Sequence, residues 1–140
     1  MSEANQVQGI LLTHGGMAEG LVDAVERITG PLPGVLTALS NEGCSPESLR
    51  QQLDDAAGDQ PAVIFTDLQS GSCAVAARIA CGGAGPRGVV FGVNLPMLLD
   101  FVFHRDLPLE ELVPRLVDRG REGVQGMTPQ AICADPPVSG

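Results

Sequence analysis

The chain has 140 residues, a formal net charge of −9 and a 44% hydrophobic content, enough apolar material for one domain with a real core. Its pI is near 4.4, and its eight basic side chains are all arginine, a balance that argues against binding nucleic acid or an anionic membrane surface. No apolar run approaches the roughly 18 residues of a membrane span, and the polar N-terminal MSEANQ lacks the pattern of a secretory signal, so a cytoplasmic protein is expected.

The first predicted element is a strand in VQGILLT at 7–13. It runs through Thr13-His14-Gly15-Gly16 into a helical pattern carried by Met17, Leu21, Val25 and Ile28, which Gly30 and Pro31 stop. GVLTAL at 34–39 reads as a second strand. Ser45-Pro46-Glu47 then supplies an N-cap, a first-turn proline and a first-turn acid for a helix through Leu49 and Leu53 to Gly58. PAVIFTDL at 61–68 is a third strand, followed by a small-residue helix from Ser72 to a stop at Gly82. GVVFGVNL at 88–95 is the fourth strand, and LPMLLDFVFHR begins another helix, with His104 near its carboxyl end. A last helix spans LEELVPRLVDRGREGVQ, where Pro114 either sits near the first turn or kinks it. The proline-rich stretch from 128 to 140 reads as a tail with a short edge segment at most.

Each predicted strand is short and apolar throughout, as buried parallel strands are. The alternation of strand and helix predicts an α/β fold, a three-layer αβα sandwich on a mainly parallel central sheet, and leaves room for a C-terminal antiparallel edge strand. Residues 1–127 are expected to form the domain.

Several patterns are decoys. GAGPRG at 83–88 matches a dinucleotide fingerprint literally, but it follows a helix, contains Pro86 and leads into a strand, so it reads as a turn. HRDL at 104–107 echoes a kinase catalytic loop in a chain too short for that fold. QSGSC around Ser70 and Ser72 is not a nucleophile elbow. A receiver domain would also end its third strand on an aspartate, where Asp67 falls, but it needs a lysine that this chain lacks. Neither the two histidines nor Cys44, Cys73, Cys81 and Cys133 show metal-ligand spacing, so the thiols read as ordinary small side chains and no metal or other cofactor is expected.

What remains is His14 and Asp67. With the first strand central, the loops after strands one and three share a carboxyl edge, where open α/β sheets bind ligands. The residues alone leave two readings. In the bland one, His14 packs at a strand end and Asp67 caps the next helix. In the other, Asp67 holds the Nδ1–H of His14 and leaves the Nε2 lone pair outward as a nucleophile. Helix starts at Gly16-Met17 and at Ser72 would then hold an anion, with Gly15, Gly16 and Gly71 letting backbone approach.

Four stretches, THG at 13–15, TDLQSGS at 66–72 before AVAARI, GVNLPMLLD at 92–100 and GREGV at 120–124, carry a resemblance over roughly residues 8–127. The chain resembles the IIA domain of the mannose class of the bacterial phosphoenolpyruvate-dependent sugar phosphotransferase system (PTS). That resemblance implies a phosphohistidine carrier. The histidine matching His14 takes a phosphoryl group from phospho-HPr at Nε2 and passes it to a IIB protein, the aspartate matching Asp67 orients the ring, and the serine matching Ser72 lies near the phosphate. It also implies homodimers in which a C-terminal strand pairs across subunits. Ser70 and Cys73 depart from the commoner pattern of Asp, two residues and Gly-Gly-Ser-Pro, which bears on the identity of the downstream acceptor. Asn94 is expected at the same sheet edge, and Met97 and Leu98 either form contact surface or belong to the core. Two further readings stay open: a regulatory sensor of phosphorylation state, for which the lack of an attached IIB domain leaves room, and a dihydroxyacetone-kinase phosphotransfer subunit.

Overall fold

A computed structural model describes residues 6–129. Four strands, β1 (Gln8–Thr13), β2 (Leu36–Ser40), β3 (Ala62–Thr66) and β4 (Arg87–Phe91), alternate with α1 (Met17–Thr29), α2 (Pro46–Ala57) and α3 (Ser72–Cys81). The helices α4 (Leu95–Val102) and α5 (Leu109–Glu122) follow. The sheet is wholly parallel in the order β2-β1-β3-β4, with Gly9 opposite Leu36 on one side of β1 and Leu12 opposite Thr66 on the other.

This order explains the layers. The chain steps from β1 one way to β2, then back across β1 to β3 and on to β4, and right-handed crossovers in opposite directions place their helices on opposite faces. Accordingly α2 and α3 cover one face, against Ile10, Leu12, Ala62 and Ile64. On the other face Leu11, Val63 and Phe65 meet residues of α1, α4 and α5. The period-2 alternation along β1 and β3 thus splits one apolar run between two cores, as the three-layer sandwich requires.

The central strands β1 and β3 are almost wholly buried, as their sequences predict, whereas β2 is half-buried because it is an edge. In β1, a Cβ on Gly9 would lie 2.6 Å from Leu36 Cδ2 and 2.7 Å from Phe101 Cε2. The glycine lets α4 close on the sheet, where Phe101 packs edge-on against Phe65 with ring centroids 5.3 Å apart.

Ser45 caps α2 by accepting from the Ser48 N–H at 3.1 Å, and Gly58 ends it. The face of α1 differs from its apolar spacing. Ala18 and Val25 are buried, Leu21 and Val22 pack partly, and Met17 and Ile28 are exposed. Pro114 lies inside α5 rather than in its first turn, on the exposed side. The residues of GAGPRG up to Pro86 form the α3–β4 connection, as the turn reading predicts. Arg87, the first residue of β4, has its guanidinium buried and clamps this end of the sheet by donating to Asp54 Oδ1 (2.6 Å), Ala80 O and Gly58 O.

The GVNLPM and GREGV stretches turn out to be one structural joint. Asn94 caps α4 by accepting from the Met97 N–H at 3.1 Å, and its amide donates to Gly120 O in α5 at 2.8 Å. Side chains on Gly120 and Gly123 would run into Met97 and Pro96, so these glycines set how closely α5 approaches α4. Met97 and Leu98 are accordingly core residues, 3% and 0% exposed, and offer no contact surface. Asn94→Ala removes the cap and leaves the Gly120 carbonyl without its donor, for a combined cost of about 2–3 kcal/mol. Denaturant unfolding is expected to show that loss without a change of m-value, and a loss below about 0.5 kcal/mol would contradict the joint.

Cys44 is half-buried, Cys73 buried and Cys81 exposed, so Cys81 departs from the expectation of mostly buried thiols. Cys133 and the C-terminal edge segment lie outside the described residues.

Candidate functional site

The strand order reverses between β1 and β3, and the crevice at their carboxyl ends is where an open α/β sheet presents ligand-binding residues. His14 follows β1 directly and Asp67 follows β3 directly. The two meet. The His14 backbone N–H donates to Asp67 Oδ2 at 3.0 Å, and the ring Nδ1 lies 2.9 Å from the same oxygen. The other carboxylate oxygen, Oδ1, accepts from the Leu68 N–H at 3.0 Å.

Local structure fixes this arrangement before the ring is considered. The buried Thr66 hydroxyl donates to Leu68 O at 2.8 Å and closes the turn that carries Asp67. Arg78 of α3 donates to Gln69 O at 2.8 Å while its guanidinium stacks 4.5 Å over Phe91, which holds the rest of the loop to the helix and the next strand.

The electrostatics follow from the contacts. Burial pushes the Asp67 carboxyl up, but the hydrogen bonds from the His14 backbone and ring, with the charge the ring can carry, together hold it below the usual carboxylate range. An ionised carboxylate only accepts, so in the neutral ring the nitrogen facing it is the protonated one and Nε2 carries the lone pair. The His14 side chain is 44% exposed against 12% for Asp67, and among the described residues Nε2 has no hydrogen-bond partner.

The glycines around the ring differ in kind. Gly71 is the N-cap of α3 with φ +94° and ψ −177°, and a Cβ there would sit 3.8 Å from His14 Cε1 and 3.9 Å from Nε2. Gly15 also has positive φ, +58°. Gly16, the N-cap of α1, has φ −91° and nothing within 4 Å of its Cβ position, so neither backbone strain nor packing demands glycine there. Ser72 is the first residue of α3, whose leading N–H groups have no intrahelical acceptor.

Cys73 is the residue whose part the sequence does not convey. It is fully buried in the second position of α3, with Sγ 3.9 Å from His14 Nδ1. Burial and the Asp67 charge push its thiol up, with the Ser72 hydroxyl opposing. The signal available in the sequence was its departure from the proline of the resembled pattern. Asn94, by contrast, is spent on the α4–α5 joint, and His104 closes the end of α4 with Nδ1 2.8 Å from Asp100 O.

The fold is thus a parallel α/β sandwich with a carboxylate-held imidazole at its switch point, on the carboxyl edge of the sheet. The family described as PTS system fructose IIA component matches residues 9–116, and the chain belongs to it. It is thus a IIA component of the phosphotransferase system, of the mannose class, with the general phosphotransferase role of that family. Among solved structures it is similar to the mannose/sorbose-specific IIA subunit from Enterococcus faecalis, 26% identical over 88% of this chain and 96% of that one, with a TM-score of 0.76. A phosphotransferase component EIIA from Streptococcus agalactiae shares the fold at 21% identity, over 86% of this chain and 96% of that one, with a TM-score of 0.79. So does a sigma-54 interaction domain protein from Enterococcus faecalis, at 14% identity over 86% and 94%, with a TM-score of 0.70. No curated protein matches the sequence. Among the described residues no helix is long and apolar enough to cross a membrane.

Proposed function

We propose that the protein is a phosphohistidine carrier that accepts a phosphoryl group from phospho-HPr on His14 and passes it to a IIB protein in sugar uptake. The observation that carries this reading is the 2.9 Å contact between His14 Nδ1 and Asp67, which fixes the tautomer and leaves Nε2 on the exposed side.

In this mechanism the Nε2 lone pair attacks phosphorus in line, a new N–P bond forms, and the N–P bond to the donor histidine breaks. The ring gains cationic character as Nε2 is substituted, and the Asp67 carboxylate stabilises it through Nδ1–H. The leading N–H groups of α3 and α1, with the Ser72 hydroxyl, offer donors to the phosphoryl oxygens, each helix end adding roughly 0.3–1 kcal/mol. Gly71 keeps a side chain off Nε2, and Gly15 and Gly16 leave the backbone of the β1–α1 turn open to the phosphoryl group. Leu68 and the outward side chains of α3, Val75 and Ile79, are 48–55% exposed and supply apolar surface beside the loop for a protein partner. Residues 1–127 act as the carrier domain and 128–140 as a tail, and a homodimer fits this reading.

Incubation with phosphoenolpyruvate, enzyme I and HPr is expected to add one acid-labile, alkali-stable phosphoryl group, seen by mass and phosphorus NMR. His14→Ala should carry none. An unlabelled wild type, or undiminished label on His14→Ala, would overturn the carrier role. A second reading is a regulatory module that reports phosphorylation state. Transfer from the labelled protein to a IIB partner separates the two.

A further inference from the structure

We propose that His14 Nδ1, Asp67 Oδ2 and Cys73 Sγ form a binding site for a thiophilic divalent cation such as zinc, and that the bound cation locks His14 in the tautomer that cannot accept phosphoryl. The second half rests on the carrier reading; the first does not.

These three ligand atoms come from the loop after β1, the loop after β3 and the first turn of α3, and lie within 4.8 Å of one another. Tetrahedral zinc with ligands at about 2.0–2.3 Å separates a nitrogen and an oxygen by about 3.3 Å, and a nitrogen and a sulfur by about 3.6 Å. The corresponding distances here are 2.9 Å for Nδ1 to Oδ2 and 3.9 Å for Sγ to Nδ1. These two pairs match zinc geometry to within about half an ångström, and the third, Oδ2 to Sγ, lies within 4.8 Å and closes on the cation by side-chain movement of up to about 1.2 Å. Sequence spacing could not reveal the set, since its members stand 53 and 59 residues apart along the chain from His14.

The chemistry of the donors also fits. One carboxylate and one thiolate balance the charge of a divalent cation, and an imidazole with a thiolate selects zinc over magnesium or calcium. On binding, the cation takes the place of the proton between Nδ1 and Oδ2. The neutral ring then carries its proton on Nε2, and the thiol proton leaves to solvent, so one proton is released per cation. The fourth position falls to water or an anion. With hydrogen on Nε2 there is no lone pair to attack phosphorus, so the cation and phosphoryl acceptance exclude one another at the same ring.

Cobalt(II) serves as a spectroscopic stand-in for zinc. The full-length protein is expected to show a thiolate-to-cobalt charge-transfer band that zinc displaces. The triple variant Cys44→Ser, Cys81→Ser, Cys133→Ser should retain it. Cys73→Ser should lose the band and weaken zinc binding at least about tenfold, since a lost ligand costs no less than a lost outer partner. His14→Gln, a change at a partly exposed ring that circular dichroism can show to be folded, should lose it too. No band in the wild type, or an undiminished band in Cys73→Ser or His14→Gln, overturns the site. In a second arm, purified phospho-HPr is mixed with zinc-loaded protein, and slowed labelling of the wild type but not of Cys73→Ser is expected. Equal labelling with and without zinc overturns the tautomer lock, whereas failure to label the zinc-free protein counts against the carrier reading and leaves the cobalt result standing.

Discussion

Gly71→Val is expected to slow phosphoryl acceptance by His14 at least about 100-fold, the scale on which a misplacement of about an ångström acts. Two effects combine. The backbone at φ +94°, ψ −177° lies in a region that is essentially glycine-only, costing any other residue about 1–3 kcal/mol. In addition, a Cβ there would stand 3.9 Å from Nε2, and the branches of valine would extend over the nitrogen that must meet phosphorus. Gly71→Ala separates the two, because it carries the same strain but its Cβ makes only ordinary contact with the ring. Thermal unfolding should therefore drop by a similar amount in both variants, while transfer slows far more in valine than in alanine. Equal transfer rates in Gly71→Val and wild type would show that the approach to Nε2 does not pass this glycine.

Asp67→Asn should slow phosphotransfer by about 10- to 100-fold with the fold intact, the difference between a charge-assisted and a neutral hydrogen bond being about 1–3 kcal/mol. The contacts dictate how the amide sits. Oδ2 accepts twice from His14, from backbone and ring, while Oδ1 accepts once from Leu68. The amide oxygen therefore keeps the Oδ2 position, preserves the Nδ1–H tautomer and turns its NH2 toward the Leu68 N–H. What is lost is the charge that stabilises the substituted ring, with one backbone bond. The check is a single-turnover rate with phospho-HPr alongside a denaturant melt. An unchanged rate would mean that the Asp67 charge does not stabilise the substituted ring.

The legibility of the site in the sequence has a physical basis. His14 and Asp67 are 53 residues apart, yet each directly follows an apolar strand, and in a parallel sheet with β1 inside, all such loops open on one edge. Their pairing thus follows from topology without any knowledge of side-chain packing. The exposed ends of α1 contradict the simple apolar spacing of Met17 and Ile28 for a related reason: helical periodicity says which residues share a stripe, not how far the neighbouring layer extends along it.

The sequence by itself determined what short-range physics controls: four apolar strands, the Ser45 cap and Gly58 stop of α2, the turn around Pro86, and a histidine and an aspartate at the ends of β1 and β3. Tertiary structure alone decided which strands are edges, the burial of Arg87 against Asp54 and the Asn94–Gly120 joint between α4 and α5. It also decided that the Cys73 thiol lies 3.9 Å from His14 Nδ1. Each of these contacts joins residues at least 26 positions apart, and forms because close-packed layers fix side-chain neighbours to tenths of an ångström, a scale that pattern and propensity along a chain do not encode.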